Sequence, residues 1–205
     1  MTETTLGAAA PLPPSFYTRP TPEVARDLLG AVLLRRVDER LMAGRIVETE
    51  AYGGPEDLAS HAARSATGRA RIMFGPVGRA YVYIIYGMHD CLNVVAHLPG
   101  DAGAVLVRAL EPIAGVEAAT NGPGRLCRAL AIDRSLNDAS LDGPALRLVA
   151  GPPPPEPIAA GTRIGVDYAG EWAARPWRYW LEGNPFVSVR APTERSRRSR
   201  TDRRR

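Results

Sequence analysis

Hydrophobic positions along this chain recur mostly in short runs bounded by glycine, proline and acidic turns, which is the pattern of strands, and only twice at helical spacing. Residues 31–36 and 41–52 read as two strands joined through Asp38-Glu39-Arg40, a hairpin. The segment YVYIIYG at 81–87 is the most strand-like by its β-branched and aromatic content. Further strands are expected at 91–97, 104–110, 163–167, 178–182 and 186–189. One helix starts near Thr21, expected as its N-cap, with Pro22 in the first turn and Glu23 at the positive end of the dipole. Val24, Leu28 and Leu29 form its apolar face and Gly30 stops it. A second helix opens on Gly122-Pro123-Gly124 and continues to about Leu130. Strands outnumber helices and do not alternate with them, so the expected fold is α+β, a single domain with a curved antiparallel or mixed β-sheet core and flanking helices.

Composition refines this picture at the ends of the chain. Residues 1–15 are rich in Ala, Thr and Pro without periodicity and are expected to form a disordered leader; the domain then runs over 16–192, and 193–205 form an Arg-rich tail expected to be disordered. The 205 residues suit one domain that buries roughly 70% of its unfolded surface and needs no disulfide or metal to fold. Cys91 and Cys127 form no CxxC pair, so no metal site or disulfide framework is expected and a reducing, cytoplasmic setting fits best. No stretch approaches a membrane span. The net charge is +4, but residues 194–205 carry seven arginines against Glu194 and Asp202, a local +5, which leaves −1 on everything else. An anionic partner must therefore be held by local patches. All 26 basic residues are arginine, so no lysine side chain is available to form a Schiff base.

Candidate chemistry concentrates at VETEAYGGPEDLASH, residues 47–61. With a strand's period of two, Glu48, Glu50 and Tyr52 share one face and Val47, Thr49 and Ala51 the other. Gly53-Gly54-Pro55 ends the strand and turns the chain toward His61, so carboxylate, phenol and imidazole can meet at one strand end. A solvated edge strand carrying the two glutamates is the plain alternative. Arg108 interrupts an apolar run and needs an acidic partner, for which Glu50 is the natural choice. Residues 62–71 read as a mobile Gly/Ala/Ser/Arg loop. Tyr81 is read as sheet packing, while Tyr86 at the strand end beside Gly87 is free to project. The glycines before Arg125 could leave backbone N–H groups for a phosphate.

The segments RPTPEVARDLLG, GRIVETEAYGGPEDLASH, MFGPVGRAYVYIIYGMHDCLNVV, VLVRALEP, NGPGRLCRALAI and GEWAARPWRYW, in this order and spanning about residues 16–189, closely resemble the alkyladenine (3-methyladenine) DNA glycosylase family, in the branch typified by the mammalian enzyme and its bacterial relatives. The resemblance implies excision of alkylated or deaminated purines (3-methyladenine, 7-methylguanine, hypoxanthine, ethenoadenine) flipped out of double-stranded DNA, without metal or cofactor; a monomer is the default expectation. It assigns Glu50 to activation of the attacking water and Arg108 to holding that water. Tyr52 and Tyr83 are implied to stack on the flipped base, His61 to hydrogen-bond it or its backbone, Asn93 to oppose the exocyclic amine of guanine and Tyr86 to fill the gap left in the duplex. Arg125 is expected to contact DNA, and the role of Glu48 stays open. The absence of lysine fits a monofunctional enzyme that leaves an abasic site. Residues 115–121 form a shorter connection than in many relatives, the 62–72 loop differs in detail, and the Arg-rich tail is not a family motif. A non-catalytic nucleic-acid-binding module and a hydrolase of free nucleosides are the competing classes.

Overall fold

A computed structural model describes residues 3–188. Its centre is the long strand β2 (Arg40–Tyr52), reached by a tight turn from β1 (Val32–Val37). After β3 (Ala80–Ile85), β4 (His89–Val95) and β5 (Ala104–Ala114) come β6 (Leu146–Val149), β7 (Ile158–Gly161) and β8 (Arg178–Leu181). The strand order is β3-β4-β5-β2-β1-β6, with every pairing antiparallel. One edge of β2 is paired by β5 along most of its length, whereas the other edge is shared: β1 takes Arg40–Arg45 and β8 takes Glu48–Glu50, with β7 beyond it. A strand that changes partner halfway forces the sheet to curl. The expected α+β fold with a curved antiparallel core is borne out.

Two irregularities set which way the side chains of β2 point. Between Ile46↔Leu110 and Glu48↔Ala109 the register slips at Val47, and between Glu48↔Ala109 and Thr49↔Val107 it slips back at Arg108. Met42 and Ile46 face the main core before the bulge, and Val47 and Ala51 face it afterwards, so the inward phase changes from even to odd positions. Thr49 shares that inner face and donates its hydroxyl to the Ala25 carbonyl at 2.7 Å. Glu48, Glu50 and Tyr52 are thereby placed on the opposite face, together with Leu41 and Ala43. Period-two reading of 47–52 gave these faces correctly.

That outer face is covered at one end and open at the other. Helix α1 (Glu3–Ala8) inserts Leu6, fully buried, among Val32, Leu34, Leu41, Ala43 and Val149. The chain then bridges Pro11 to Val149, donates the Leu12 N–H to the Leu148 carbonyl at 2.8 Å, and forms the short α2 (Pro14–Tyr17). The expected disordered leader is therefore a correction over residues 5–15: an Ala/Pro-rich segment cannot fold alone, but one leucine and two edge contacts dock it on a sheet face that needs cover. The inner face is closed by α3 (Thr21–Asp27) and by α4 (Pro123–Ala129), which supply Val24, Ala25, Leu126 and Cys127 to the core. Thr21 is not the N-cap of α3. That position is Pro20, and the buried Thr21 hydroxyl instead donates to the Ala96 carbonyl at 2.8 Å.

Other departures have local causes. From Gly68 the loop expected at 62–71 winds into a 3-10 helix that runs to Phe74, with Met73 buried. Residues 163–167 are a bent segment, not a strand, with Gly165 at φ +73° and the Ile164 N–H drawn away to a side chain. Residues 186–188 of the strand expected at 186–189 are turn and bend, and residue 189 and the tail at 193–205 lie outside the described residues. Among the described residues no helix is long and apolar enough to cross a membrane. Leu6→Ala is expected to destabilise the protein by about 2–5 kcal/mol, read as a lowered urea midpoint. A change under about 0.5 kcal/mol would mean that α1 does not staple the sheet.

Candidate active site

On the uncovered end of the outer face lies a cleft of about 940 Å³. Tyr52, His61, Tyr83, Tyr86, Asn93, Arg108 and Arg125 all line it, so seven of the eight residues singled out from the sequence meet there. The eighth, Glu50, sits behind the wall and is fully buried. Its Oε2 accepts from the Tyr52 hydroxyl at 2.8 Å and from Arg108 Nη1 at 3.1 Å, while Oε1 accepts from the Ile164 N–H at 2.8 Å. Burial raises the Glu50 pKa, against the pull of Arg108 and of these hydrogen bonds. Burial, then Glu50 itself, raises the Tyr52 phenol well above its ordinary value, so it stays protonated as the donor.

Glu48 is not an idle neighbour of Glu50. Its Oε1 accepts from Arg108 Nε and Arg178 Nη1, each at 3.1 Å, and its Oε2 accepts from the Ser188 N–H at 2.7 Å. Arg108 spans both carboxylates, and its register slip in β5 is what lets a side chain from that strand reach across. Burial works against its charge, but Glu50 and Glu48 outweigh that and raise its pKa. Two buried acids thus face two guanidiniums, a balance without which the site would have to shed charge. Of these partners the sequence pointed to Arg108 but not to Arg178.

Behind Tyr52 stands a second buried pair. Arg163 donates to Asp57 through two nitrogens, at 2.6 and 2.9 Å, with both side chains fully buried. The same two nitrogens also donate to the Ala51 and Trp172 carbonyls at 2.9 Å, Nε has no hydrogen-bond partner among the described residues, and the guanidinium lies 4.9 Å from the Tyr52 ring centre. Asp57 also accepts from the Gly53 and Ala59 N–H groups. One ion pair therefore ties the end of β2, the turn after it and the loop whose next residue, Ile164, holds Glu50. Neither residue was singled out from the sequence, although Asp57 lies in the same motif.

The far wall is aromatic. His61 Nδ1 and the Tyr81 hydroxyl are 2.9 Å apart, and the His61 ring meets Tyr83 edge-on at 4.7 Å. Burial, with Arg69 and Arg64 nearby, pulls His61 down to about 4, so it is neutral near pH 7. Tyr81 is buried in the sheet as expected, but it also orients His61, which packing patterns do not disclose. Asn93 donates its amide to the carbonyls of Tyr81 at 3.0 Å and Cys91 at 3.4 Å, which fixes its orientation. Tyr86 stands at the β3–β4 hairpin tip with φ +52°, followed by Gly87 at +68°; this turn leaves Tyr86 85% exposed and Met88 71% exposed. Arg125 is exposed and donates to Asn121 at 3.0 Å. Helix α4 has only seven residues and opens on Pro123, so the arginine and not a helix N-terminus is the cationic element here. Among the described residues, Arg64, Arg69, Arg108, Arg125 and Arg128 line the cleft and no Asp or Glu does.

A buried carboxylate held by an arginine, an aromatic slot beside it, an exposed aromatic at the rim and a cationic border suit a planar ring presented from a polyanion. The comparisons agree. The family model for methylpurine-DNA glycosylase (MPG) matches residues 15–185. The chain belongs to the methylpurine-DNA glycosylase family. A relative from Anaeromyxobacter sp. (strain Fw109-5) is 59% identical over 180 residues, covering 87% of this chain and 92% of its own. One from Myxococcus xanthus is 53% identical, covering 90% and 96%, and one from Methanocella arvoryzae 50% identical, covering 88% and 97%. All three bear the name "Putative 3-methyladenine DNA glycosylase".

Removing one member of the second buried pair strands the other. Arg163→Met is expected to lower stability by about 3–5 kcal/mol, and Arg163→Met with Asp57→Leu to be more stable than the single variant. Urea unfolding of the two variants checks this, and a double variant no more stable than Arg163→Met would exclude a desolvated pair.

Proposed function

We propose that this protein is a monofunctional DNA glycosylase that captures alkylated or deaminated purines outside the duplex and hydrolyses their N-glycosidic bond. The observation that carries this reading is Glu50, buried against the floor of an aromatic cleft with Arg108 connecting it to that cleft. A stacked base hides its glycosidic bond, so the nucleotide must swing out, and a damaged or mispaired base unstacks with the least work. Tyr86 on its exposed hairpin tip enters the duplex in its place, and Arg125 and neighbouring arginines hold the phosphates.

Inside the cleft the base stacks on Tyr52 and Tyr83 and meets the neutral His61, while Asn93 opposes a guanine amine. As the bond from C1′ to the base breaks, both electrons leave with the base and the sugar becomes oxocarbenium-like. The ionised Glu50 stabilises that charge and takes a proton from the water that attacks C1′, while Arg108 holds the water. The Ile164 N–H and Tyr52 hydroxyl fix the carboxylate for this task, and Glu48 with Arg178 keeps Arg108 from collapsing wholly onto Glu50. No lysine amine is at hand to form a Schiff base, so the strand is left intact at an abasic site.

Duplexes bearing one hypoxanthine or one 3-methyladenine analogue test this directly. Wild type is expected to release base with no strand break until alkali or heat is applied, and Glu50→Gln to lose at least about 100-fold in rate. Duplex binding without release by wild type would favour a non-catalytic binding module, and full activity in Glu50→Gln would remove the water mechanism.

The pH dependence follows from the sign of the Glu50 shift. Its pKa is raised, so acidification protonates it, and stops catalysis, at a higher pH than an ordinary carboxylate would allow. The acid limb of log kcat/KM is expected above 4.5, the ordinary value. His61, pulled down to about 4, contributes no limb in that range. A limb below 4.5 would contradict the assignment of Glu50 as the base.

A further inference from the structure

Arg69 is used by none of the steps above, yet its charge lies where the base must sit. The residue belongs to the 3-10 helix at Gly68–Phe74, is exposed, and lines the cleft. Its guanidinium carbon is 5.6 Å from the centre of the Tyr83 ring, and Nη2 lies 3.5 Å from His61 Nε2. It bears on His61, Tyr81 and Tyr83 together, favouring the neutral imidazole and opposing the rise of both phenols. Since His61 Nδ1 faces the Tyr81 hydroxyl, Nε2 is the nitrogen turned toward Arg69 and toward an incoming base. The described cleft wall itself carries no carboxylate, and Glu50 behind it is paired with Arg108.

The two chemical classes of damaged purine respond oppositely to such a charge. An N-alkylated purine such as 7-methylguanine is already cationic, and after heterolysis it leaves as a neutral base. A deaminated purine such as hypoxanthine is neutral in the duplex, so the electron pair from the broken C1′–N9 bond makes it an anion until a solvent proton arrives. In either case the hydroxide equivalent of the attacking water bonds to C1′ and its proton goes to Glu50. A guanidinium beside the base repels the first class on entry and stabilises the second on departure.

We infer that Arg69 is a selectivity residue that biases this cleft toward neutral, carbonyl-bearing purines over cationic alkylated ones, by placing a guanidinium beside the Tyr83 face and the outward nitrogen of His61. The inference rests on the glycosylase reading above and adds the preferred substrate class. Arg69 is exposed, so its replacement leaves the packed core untouched.

The test is the ratio of kcat/KM for hypoxanthine to that for 7-methylguanine, each in the same duplex context. Arg69→Gln is expected to lower that ratio on the order of tenfold, and Arg69→Lys, which keeps the charge, to retain most of it. Equal losses on both lesions would identify Arg69 as a phosphate contact and overturn the inference. So would an unchanged ratio, or a lysine variant that behaves like glutamine. If wild type releases neither base, the glycosylase reading falls and takes the inference with it; a wild type active on both, with a ratio indifferent to Arg69, overturns the inference alone.

Discussion

Two carboxylates buried on one strand would each forfeit several kcal/mol of hydration if left unpaired. Glu48 and Glu50 avoid this because Arg108 from β5 and Arg178 from β8, the two strands that flank this half of β2, close on them from either side. That is why β2 exchanges β1 for β8 midway, and why the register slips beside Glu48: a regular ladder would point these acids into the apolar core and leave Arg108 facing a cross-strand partner. The ion cluster and the sheet's curl are one constraint seen from two sides. Backbone N–H groups of Ile164 and Ser188 complete it, so two distant loops are pinned to the same strand.

Rigidity and exposure are divided accordingly. The floor of the cleft is built from buried, hydrogen-bonded groups, with the Arg163–Asp57 pair behind Tyr52 and the inner core behind Thr49. The parts that would touch DNA are the reverse: a hairpin tip with two positive φ values, an exposed tyrosine and methionine, and long arginines at the rim. A preorganised floor would keep the reorganisation of charge small in a bond-breaking step, whereas a rim of exposed arginines suits phosphate contacts, which carry no sequence information.

Much of this was legible in the sequence where a physical rule acts over a few residues. Alternation in 47–52 separated the acids from the core, and the cost of a lone charge in an apolar run linked Arg108 to Glu50 before any geometry was known. The losses are all long-range. Arg178 and Arg163 lie more than a hundred residues from their acids, each at the start of a segment with the composition of a strand, and a strand pattern does not say which distant acid an arginine meets. The leader looked unable to fold because its partner, an uncovered sheet face, exists only once β1, β2 and β6 are assembled. Residues 163–167 have the composition of a strand, but the chain there spends its amide on Glu50 and its guanidinium on Asp57. Thr21 likewise has the composition of a cap and is used as a tertiary donor.

Charge bookkeeping along the chain misses the same point. Outside the last dozen residues the protein is close to neutral, slightly acidic, which argues against a polyanion partner. Folding sorts that neutral total: Glu48, Glu50 and Asp57 are taken inside with Arg108, Arg178 and Arg163, while Arg64, Arg69, Arg125 and Arg128 remain on the cleft wall without an acid among its described residues. Arginine suits both populations. Buried, it keeps its charge where a lysine would surrender its proton, and its planar fork serves two acceptors at once; exposed, it stacks on aromatic rings such as Tyr83 and Tyr168 while still facing phosphate. A near-neutral chain thus presents a positive groove, because it buries its acids against arginines behind the cleft and leaves the surplus cations on the cleft wall, where a nucleic acid would lie.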